Sequence, residues 1–480
     1  CIRDRPSKSS AKERSARVCL GSNLSPMFSV SPPIISAISL KSQQKLAFSF
    51  AESPQTLLLN PGAETNFRSH YGIPMLSNFS FDLGITGFTL NDLFSNDSRA
   101  FKTRFEAVLN KINSTDYVSF NTQVEVLNLG FRLDKKTYLS FGFYEELDFI
   151  SYMPKDFIEL FYYGNQPFLN RSFSLSQVSM KGDFLGVLHA GISKKINEKL
   201  NVGARVKIYS SSINIESLNN SGTYTSSTSN ENIIRQSLNN LNGQIRTSGI
   251  VDSDDEFIDS PGEYFSKTFL GSNMGLGLDF GLTYHFTSQL EFTASLLDIG
   301  FIRHSKNTKN FNIDGNYVLD GLNFEYDASS LSNYWQQVEQ DFRDKVITEE
   351  TQEGYTSWRP MKINAALKYS FGEKRGKSCY SKTHKQYYYN AIGFQIHNIM
   401  RPIKPQFSFT SFYEASLSKK IHTKFTHTIN DYSSIIFGAA TSLQLGKLSV
   451  FGGLDNLLGV ADVSSGNSVA FNFGFNIVID

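Results

Sequence analysis

The sequence contains few cysteines, only three in 480 residues. Cys1 and Cys19 lie near its start and Cys379 stands alone in a basic stretch, so we expect no disulfide framework. No run reaches the roughly 18 apolar residues of a membrane helix, which excludes a helical membrane protein. The charge excess is also small, a formal net charge of +1, and it indicates no nucleic-acid-binding surface.

Aromatic residues are abundant at 14% of the chain, and many lie in alternating runs. The clearest run spans residues 275–299. On its first arm apolar side chains occupy every second position: Leu276, Leu278, Phe280, Leu282, Tyr284 and Phe286. A turn at Thr287 and Ser288 leads to a second alternating arm. Because side chains on a strand alternate between faces, this is an amphipathic hairpin, and each arm can cross a bilayer, which needs about 9–11 residues.

The same pattern recurs along the chain and predicts about fourteen strands. The strands outside the hairpin are expected near residues 71–90, 119–133, 137–150, 184–195, 200–215, 361–371, 387–399, 406–418, 421–430, 434–445, 447–456 and 468–479. Short turns alternate with long connections, except for a medium, basic turn at 372–385. We therefore predict an all-β fold: a closed antiparallel transmembrane β-barrel with short periplasmic turns, long external loops and both termini in the periplasm. A soluble all-β protein is the alternative, but runs of 11 or more residues favour the barrel.

The long connections have weaker patterns. Helical turns are expected at residues 101–111 and 155–163. Residues 219–268, rich in Asn, Ser and Thr, read as a hydrated loop, and residues 304–357 as an insertion with a strand at 317–326 and a helix at 332–347. The acidic stretch 252–263 has carboxylates at several EF-hand positions. Phe257 stands where that loop requires Gly, so no metal site is predicted.

The first part of the chain divides into two segments. Residues 1–42 are interpreted either as a signal or leader segment or as mis-called upstream sequence, outside the fold in both cases. Residues 43–75 are expected to form a periplasmic or plug segment, and residues 76–480 the outer-membrane barrel.

Several short motifs carry a family resemblance. Asn60-Pro61-Gly62 resembles the Asn-Pro-Ala element of FadL-like outer-membrane barrels, with Gly62 in place of the usual Ala. Further motif positions lie in the central hairpin, in a later pair and in the closing strand: Asp298, Gly300, Asp455, Asn456 and the segment 471–480. Together they are similar to an uncharacterised family of Bacteroidota outer-membrane barrels related to the PorV and PorP/SprF proteins of type IX secretion and gliding. The chain ends in Asp480 instead of the usual terminal aromatic residue. The resemblance implies fold and location more than activity.

Charged and histidine side chains on the polar faces are the candidate functional residues. They are expected to line the lumen: Arg205, Lys207, Asp279, His285, Glu291, Lys362, Lys368, His397, Glu414, His422 and Lys424. They would either line a pore for a polar ligand or pair across strands and fill the barrel. No nucleophile motif such as G-x-S-x-G occurs in context, so we predict neither an enzyme nor a cofactor.

Two functional hypotheses remain from sequence alone. The first is a FadL-like conduit for a hydrophobic or small molecule. The second is a scaffold barrel of a surface or type IX secretion complex. In both, the partners are the lipid of the bacterial outer membrane and the barrel-assembly machinery, and the further partner is a hydrophobic ligand or a secretion complex.

The alternating pattern generates a direct test. A closed, lipid-embedded barrel resists SDS until it is heated, so unboiled and boiled outer-membrane fractions should show bands of different mobility. A soluble protein whose mobility does not depend on boiling would mean that the strands belong to a sandwich or propeller instead.

Overall fold

In the computed structural model the described residues are 42–50, 53–228, 234–251, 261–320, 336, 340–373, 388–418, 420–461 and 464–479. Residues 1–41, the acidic residues 252–260 and Cys379 lie outside them, and so does most of the basic turn. The predicted strand 317–326 and helix 332–347 also lie partly outside this set.

Strands dominate the described part of the chain. They are β1 (Ser69–Gly72), β2 (Phe79–Ile85), β3 (Tyr117–Arg132), β4 (Thr137–Tyr152), β5 (Ser172–Ser174), β6 (Met180–Lys195), β7 (Leu200–Ser217), β8 (Ser221–Thr228), β9 (Ile234–Ser248), β10 (Asn273–His285), β11 (Leu290–His304), β12 (Thr308–Asp320), β13 (Val346–Thr351), β14 (Tyr355–Trp358), β15 (Lys362–Glu373), β16 (Tyr388–Ile399), β17 (Gln406–Ser416), β18 (Ile421–Asn430), β19 (Ile436–Leu445), β20 (Leu448–Asp455) and β21 (Ser468–Ile479).

Short helices lie before the first strand and in the connections. They are α1 (Ser42–Ala47), α2 (Thr56–Leu59), α3 (Leu90–Phe94), α4 (Phe101–Lys111), α5 (Lys155–Tyr163), α6 (Pro261–Thr268) and α7 (Leu457–Ala461), with 3₁₀ turns at Gln166–Phe168 and Leu175–Gln177. The predicted helices at 101–111 and 155–163 are confirmed. Among the helices of the described residues, none has the length and hydropathy needed to cross a bilayer.

The strands close into a barrel. Neighbours pair antiparallel in the order β3, β4, β6, β7, β10, β11, β15, β16, β17, β18, β19, β20 and β21. The first barrel strand, made of β1 and β2, pairs with both β3 and β21 and closes the ring. Counting β1 and β2 as one strand, the described residues form fourteen barrel strands, so the predicted closed antiparallel barrel is confirmed. Closure leaves the barrel no free edge, as a bilayer requires.

The outer face of the barrel is apolar and the inner face is polar. On β10, Leu276, Leu278 and Phe280 point outward and are exposed, while Asp279 and Thr283 are buried inside. The same alternation continues on β16, where Ile392 and Phe394 face outward. An exposed apolar band around a closed ring of strands is the surface that lipid covers.

The first strand is not continuous, which corrects the prediction of one strand over residues 71–90. Residues 73–78 bulge between β1 and β2, and Met75, at φ +62°, is 59% exposed. Gly72 pairs with Asn476 whereas Phe79 pairs with Phe473, so the first strand carries extra residues against β21. The prediction was wrong because Pro74 lacks the amide hydrogen that a paired strand needs.

The described residues of the stretch 219–268 are also not an irregular loop. They contain β8, β9 and α6, and the end of β7 pairs with β9 beyond the barrel. β9 in turn pairs with β12, and β12 with β13, so a raised sheet (β8, β9, β12 and β13) continues the barrel wall. Its core holds Leu241, Tyr317 and Val346.

Several turns at the opposite end of the barrel are short and locally capped. Between β3 and β4, the amide of Lys136 donates to the Asp134 carboxylate at 2.6 Å and the amide of Thr137 at 2.9 Å. These hydrogen bonds, with the one from Lys136 contributing most, hold the pKa of Asp134 below its usual value. Two donors on one side chain fix the turn and therefore the register of the hairpin.

The depth of the apolar band can be measured with two arginine substitutions at exposed apolar positions, one within β10 and one just after it. Leu278→Arg, at the centre of the strand, should lower the free energy of unfolding by about 2–4 kcal/mol, whereas Phe286→Arg, at the strand end, should cost about 0–1 kcal/mol. Urea unfolding in lipid checks both. Equal costs for the two variants would contradict a lipid-facing band.

Candidate functional site

The lumen is filled by residues that precede the first strand. We call residues 45–50 and 53–64 the inner segment. Nearly all of its side chains are buried, including Lys45, Phe48 and Leu59. Its contacts reach strands around the circumference of the barrel, from β7 and β10 to β18 and β20. The segment therefore occupies the interior that fourteen strands would otherwise leave open.

Wall side chains hold the inner segment mainly through its backbone carbonyls. The donors and acceptors are Gln395 Nε2 to Lys45 O (2.7 Å), Lys424 Nζ to Phe48 O (2.8 Å), Lys368 Nζ to Ser49 O (3.0 Å), Arg205 Nη2 to Leu57 O, Arg205 Nη1 to Leu58 O (3.0 Å), Ser295 Oγ to Leu59 O (2.6 Å), Thr283 Oγ1 to Gly62 O (2.9 Å), and Asn201 Nδ2 to Gly62 O (3.0 Å) and Ala63 O (3.2 Å). Buried carbonyls away from water need such partners.

Asn60-Pro61-Gly62 sits against two wall glycines. Asn60 Nδ2 donates to Leu282 O at 3.2 Å, and Asn60 Oδ1 accepts from the Gly62 amide at 2.8 Å. A Cβ atom on Gly281 would overlap Asn60 Oδ1, and one on Gly203 would overlap Pro61 O. The two strands thus carry glycine where the inner segment approaches their backbone, a use of glycine that needs no positive φ.

Apolar side chains of the inner segment enter small apolar niches in the polar wall. Leu46, Phe48 and Phe50 pack with Phe451 and nearby alanines. Leu58 packs in a second niche, and the side chains of that niche come from four strands: Tyr144, Leu185, Val187, Tyr209 and Ile302. Full burial of each such side chain contributes about 1.5–3 kcal/mol.

Ion pairs link the wall strands across one side of the lumen. In spatial order the charges alternate in sign: Arg205, Asp279, Lys207, Asp298, Lys362, Glu146, Arg359 and Asp183. We call this row the charge ladder. Its N–O distances run from 2.6 Å, between Lys207 and Asp298, to 3.3 Å, between Lys362 and Glu146. Four cations and four anions balance, and each member is buried. Such pairing offsets the cost of removing charges from water.

Asp298 is the centre of the charge ladder. It lies where Leu297 and Asp298 of β11 face one residue, Asp279, and it adopts φ +60°. Its amide donates to Asp279 Oδ1 at 2.7 Å. Its carboxylate contacts Lys207 and Lys362, each at 2.6 Å. A left-handed backbone at a buried non-glycine residue costs energy, and here it turns the carboxylate between two lysines.

A second group of charges contacts the inner segment directly. His285 Nε2 lies 3.2 Å from Glu64 and its Nδ1 3.8 Å from Glu291. Lys368 lies 3.6 Å from Glu291 and 3.5 Å from Glu414, and Lys424 lies 3.7 Å from Glu414. Elsewhere, Lys45 of the inner segment pairs with Asp455 at 2.5 Å, with both side chains buried. The segment is thus also held by charge, near both of its ends.

The two remaining predicted histidines contact polar side chains of the wall. His397 Nδ1 contacts Asn364 Oδ1 at 2.6 Å. His422 Nδ1 contacts Ser416 Oγ at 3.0 Å and borders a cavity of about 50 Å³ near the short-turn end. Phe50, Lys368 and Glu414 also line this cavity.

The structure therefore places the predicted residues on the lumen side of the wall and joins most of them in two networks. Sequence reasoning missed their partners on β4 and β6, and on the β14–β15 connection: Glu146, Asp183 and Arg359. The acidic side chains Glu146 and Asp148, which share one face of β4, were a usable signal in the sequence. The motif residue Asn456 has a local role, since its Oδ1 accepts from the Gly459 amide in α7 at 3.0 Å. Gly300 sits where a Cβ atom would overlap the Leu276 carbonyl.

The chain is similar to one protein family in sequence and to several solved structures in fold. Residues 61–455 match DUF5723, a family of unknown function. Among curated protein sequences, none matches the chain. The toluene transporter TbuX of Ralstonia pickettii is similar in structure at 11% identity and a TM-score of 0.41, over 89% of this chain and 94% of that one. A FadL homologue of Pseudomonas aeruginosa shows 9% identity and a TM-score of 0.43, over 93% of this chain and 100% of that one.

The charge ladder predicts a large difference between buried and exposed carboxylates. Asp298→Asn leaves Lys207 and Lys362 without their shared anion and should lower the free energy of unfolding by about 3–5 kcal/mol. Asp341→Asn removes an exposed partner of Lys345 and should change the free energy of unfolding little. Urea unfolding measures both variants. A tolerated Asp298→Asn would show that the ladder is not a structural network.

Proposed function

The chain belongs to DUF5723. From its filled lumen we propose that it is a gated conduit of the bacterial outer membrane for a small hydrophobic or amphipathic molecule. In this proposal the short turns and both termini face the periplasm, and the raised sheet faces outward. The inner segment is the gate.

The observation that carries the proposal is how the lumen is closed. The inner segment fills it through hydrogen bonds, ion pairs and niche contacts, and it lies outside the antiparallel ladder that closes the barrel. The barrel wall and the inner segment are thus held by different interactions. Displacing the segment opens the lumen without breaking a pair of barrel strands, as a gate requires.

An exposed aromatic row at the long-loop end favours an apolar cargo. Phe94 is 66% exposed and Phe101 is 51% exposed. Ring contacts continue from Phe94 through Phe101 and Phe105 to Tyr162, at centroid distances of 4.7–6.1 Å. Charges beside the row pair with each other, for example Lys111 with Asp92 at 3.0 Å. A neutral aromatic surface is suited to collecting apolar molecules.

A scaffold is the second candidate, favoured by the raised sheet. In the described residues, β13 pairs only with β12, so one edge of β13 is open to a further strand. Edges of this kind bind partner strands through backbone hydrogen bonds. The relation to Bacteroidota, PorV and PorP/SprF barrels remains a prediction, as does a secretion complex as partner.

Two glycine-to-alanine variants test the gate. Gly281→Ala places a methyl group against Asn60 and should weaken the binding of the inner segment to the wall by about 1–3 kcal/mol. We expect the wild type to be closed in a planar bilayer and the variant to conduct. Gly452→Ala, whose methyl group meets open space, is the matched control and should stay closed.

The position of the segment is read independently by maleimide labelling of Ala47→Cys, with the three native cysteines replaced by serine. Ala47 is fully buried, so labelling reports displacement. If Gly281→Ala becomes labelled and still does not conduct, the conduit proposal fails and the scaffold is favoured.

A further inference from the structure

We propose that the lumen wall is a binding site for a peptide, and that the inner segment is its resident ligand. This inference goes beyond the conduit, because it assigns the wall a ligand of its own. A second peptide with suitable residues would compete with the inner segment for the same donors and niches.

The first support is the kind of atom that the wall recognises. Arg205, Lys368 and Lys424 donate to backbone carbonyls of the inner segment, and Ser295, Asn201 and Gln395 do the same. Every peptide carries such carbonyls, so this recognition does not depend on which side chains the ligand has. Backbone hydrogen bonds of this type supply affinity in other modes of peptide binding.

The second support is that a hydrocarbon chain does not replace these contacts. Arg205, Lys368 and Lys424 are buried, and each donates to the inner segment as well as pairing with a carboxylate. A purely apolar ligand would remove the carbonyl acceptor from each of these donors and supply no acceptor in its place. That loss is unfavourable for charged groups above all.

The third support is a pattern of anchors that sets direction and composition. Asp455 pairs with the Lys45 ammonium near one end of the inner segment, and His285 lies 3.2 Å from Glu64 at the other end. Between them the niches take aromatic side chains first and Leu58 later. The ligand is therefore a peptide of about twenty residues with a basic start, an aromatic anchor, a leucine anchor and an acidic end, which residues 45–64 themselves supply.

The tethered segment competes at a high effective concentration, in the millimolar range for a short flexible linker, so peptide added to the wild type should bind weakly. Lys45→Glu with Leu58→Asp weakens the resident segment and leaves the wall unchanged. We expect a fluorescent peptide of residues 42–64 to bind this full-length variant roughly tenfold or more tightly than the wild type. It should also block the conductance of the variant.

Three controls define the outcome. A peptide carrying Leu58→Asp should bind much more weakly, and laurate should not displace the labelled peptide. Ser295→Ala, added to the double variant, should reduce binding because it removes the donor to Leu59 O. Laurate that competes as well as the peptide would overturn the proposal, since the site would then recognise apolar surface alone.

Labelling at Ala47→Cys separates this inference from the gate. If the segment is displaced and the variant conducts, but the peptide neither binds nor blocks, the conduit stands and the peptide site is wrong. If the segment stays seated in both the double variant and Gly281→Ala, the site is not exchangeable and the inference also fails. Equal binding to wild type and variant would place the peptide elsewhere and count against it.

Discussion

A charge that points into the lumen of this barrel must find its partner there, because the surrounding wall is itself enclosed by lipid. The interior meets this constraint in two ways. Wall charges neutralise one another along the charge ladder, from Arg205 to Asp183. The remaining donors, such as Lys368 and Lys424, also use carbonyls of the inner segment. Removing one partner of a buried pair costs more than the pair itself contributes, so the interior is stable only as a complete set.

The orientation of these residues follows from the sequence, but their pairing does not. Period-two alternation puts Arg205, Lys207 and Asp279 on the polar face, because a strand admits only two faces. Which cation meets which anion depends on register: Asp279 lies opposite Arg205, and Asp298 reaches Lys207 only through the β-bulge on β11. Neither a register nor a bulge leaves a periodic trace in one sequence. The strands were therefore predictable, and the network was not.

Two stretches show why the pattern fails where lipid is absent. The strands β8 and β9 contain few apolar side chains, and most of their residues are at least partly exposed. Alternation of apolar and polar residues is visible in a sequence only where one face of the strand is apolar, so the sequence of this sheet resembles that of a loop. In the first strand the sequence predicts continuous pairing across 73–78, but this stretch cannot pair throughout because Pro74 lacks an amide hydrogen. The apolar band and its period report contact with lipid, not strand structure as such.

The size of the barrel explains why a separate segment fills it. About eight strands leave an interior that wall side chains fill alone, and fourteen leave more. The inner segment supplies the missing volume together with the missing acceptors, and Gly203 and Gly281 let its backbone come close to the wall. None of these contacts belongs to the hydrogen-bond ladder that joins β1 and β2 to β21. Closure of the ring and closure of the lumen are therefore independent, and a change in one need not disturb the other.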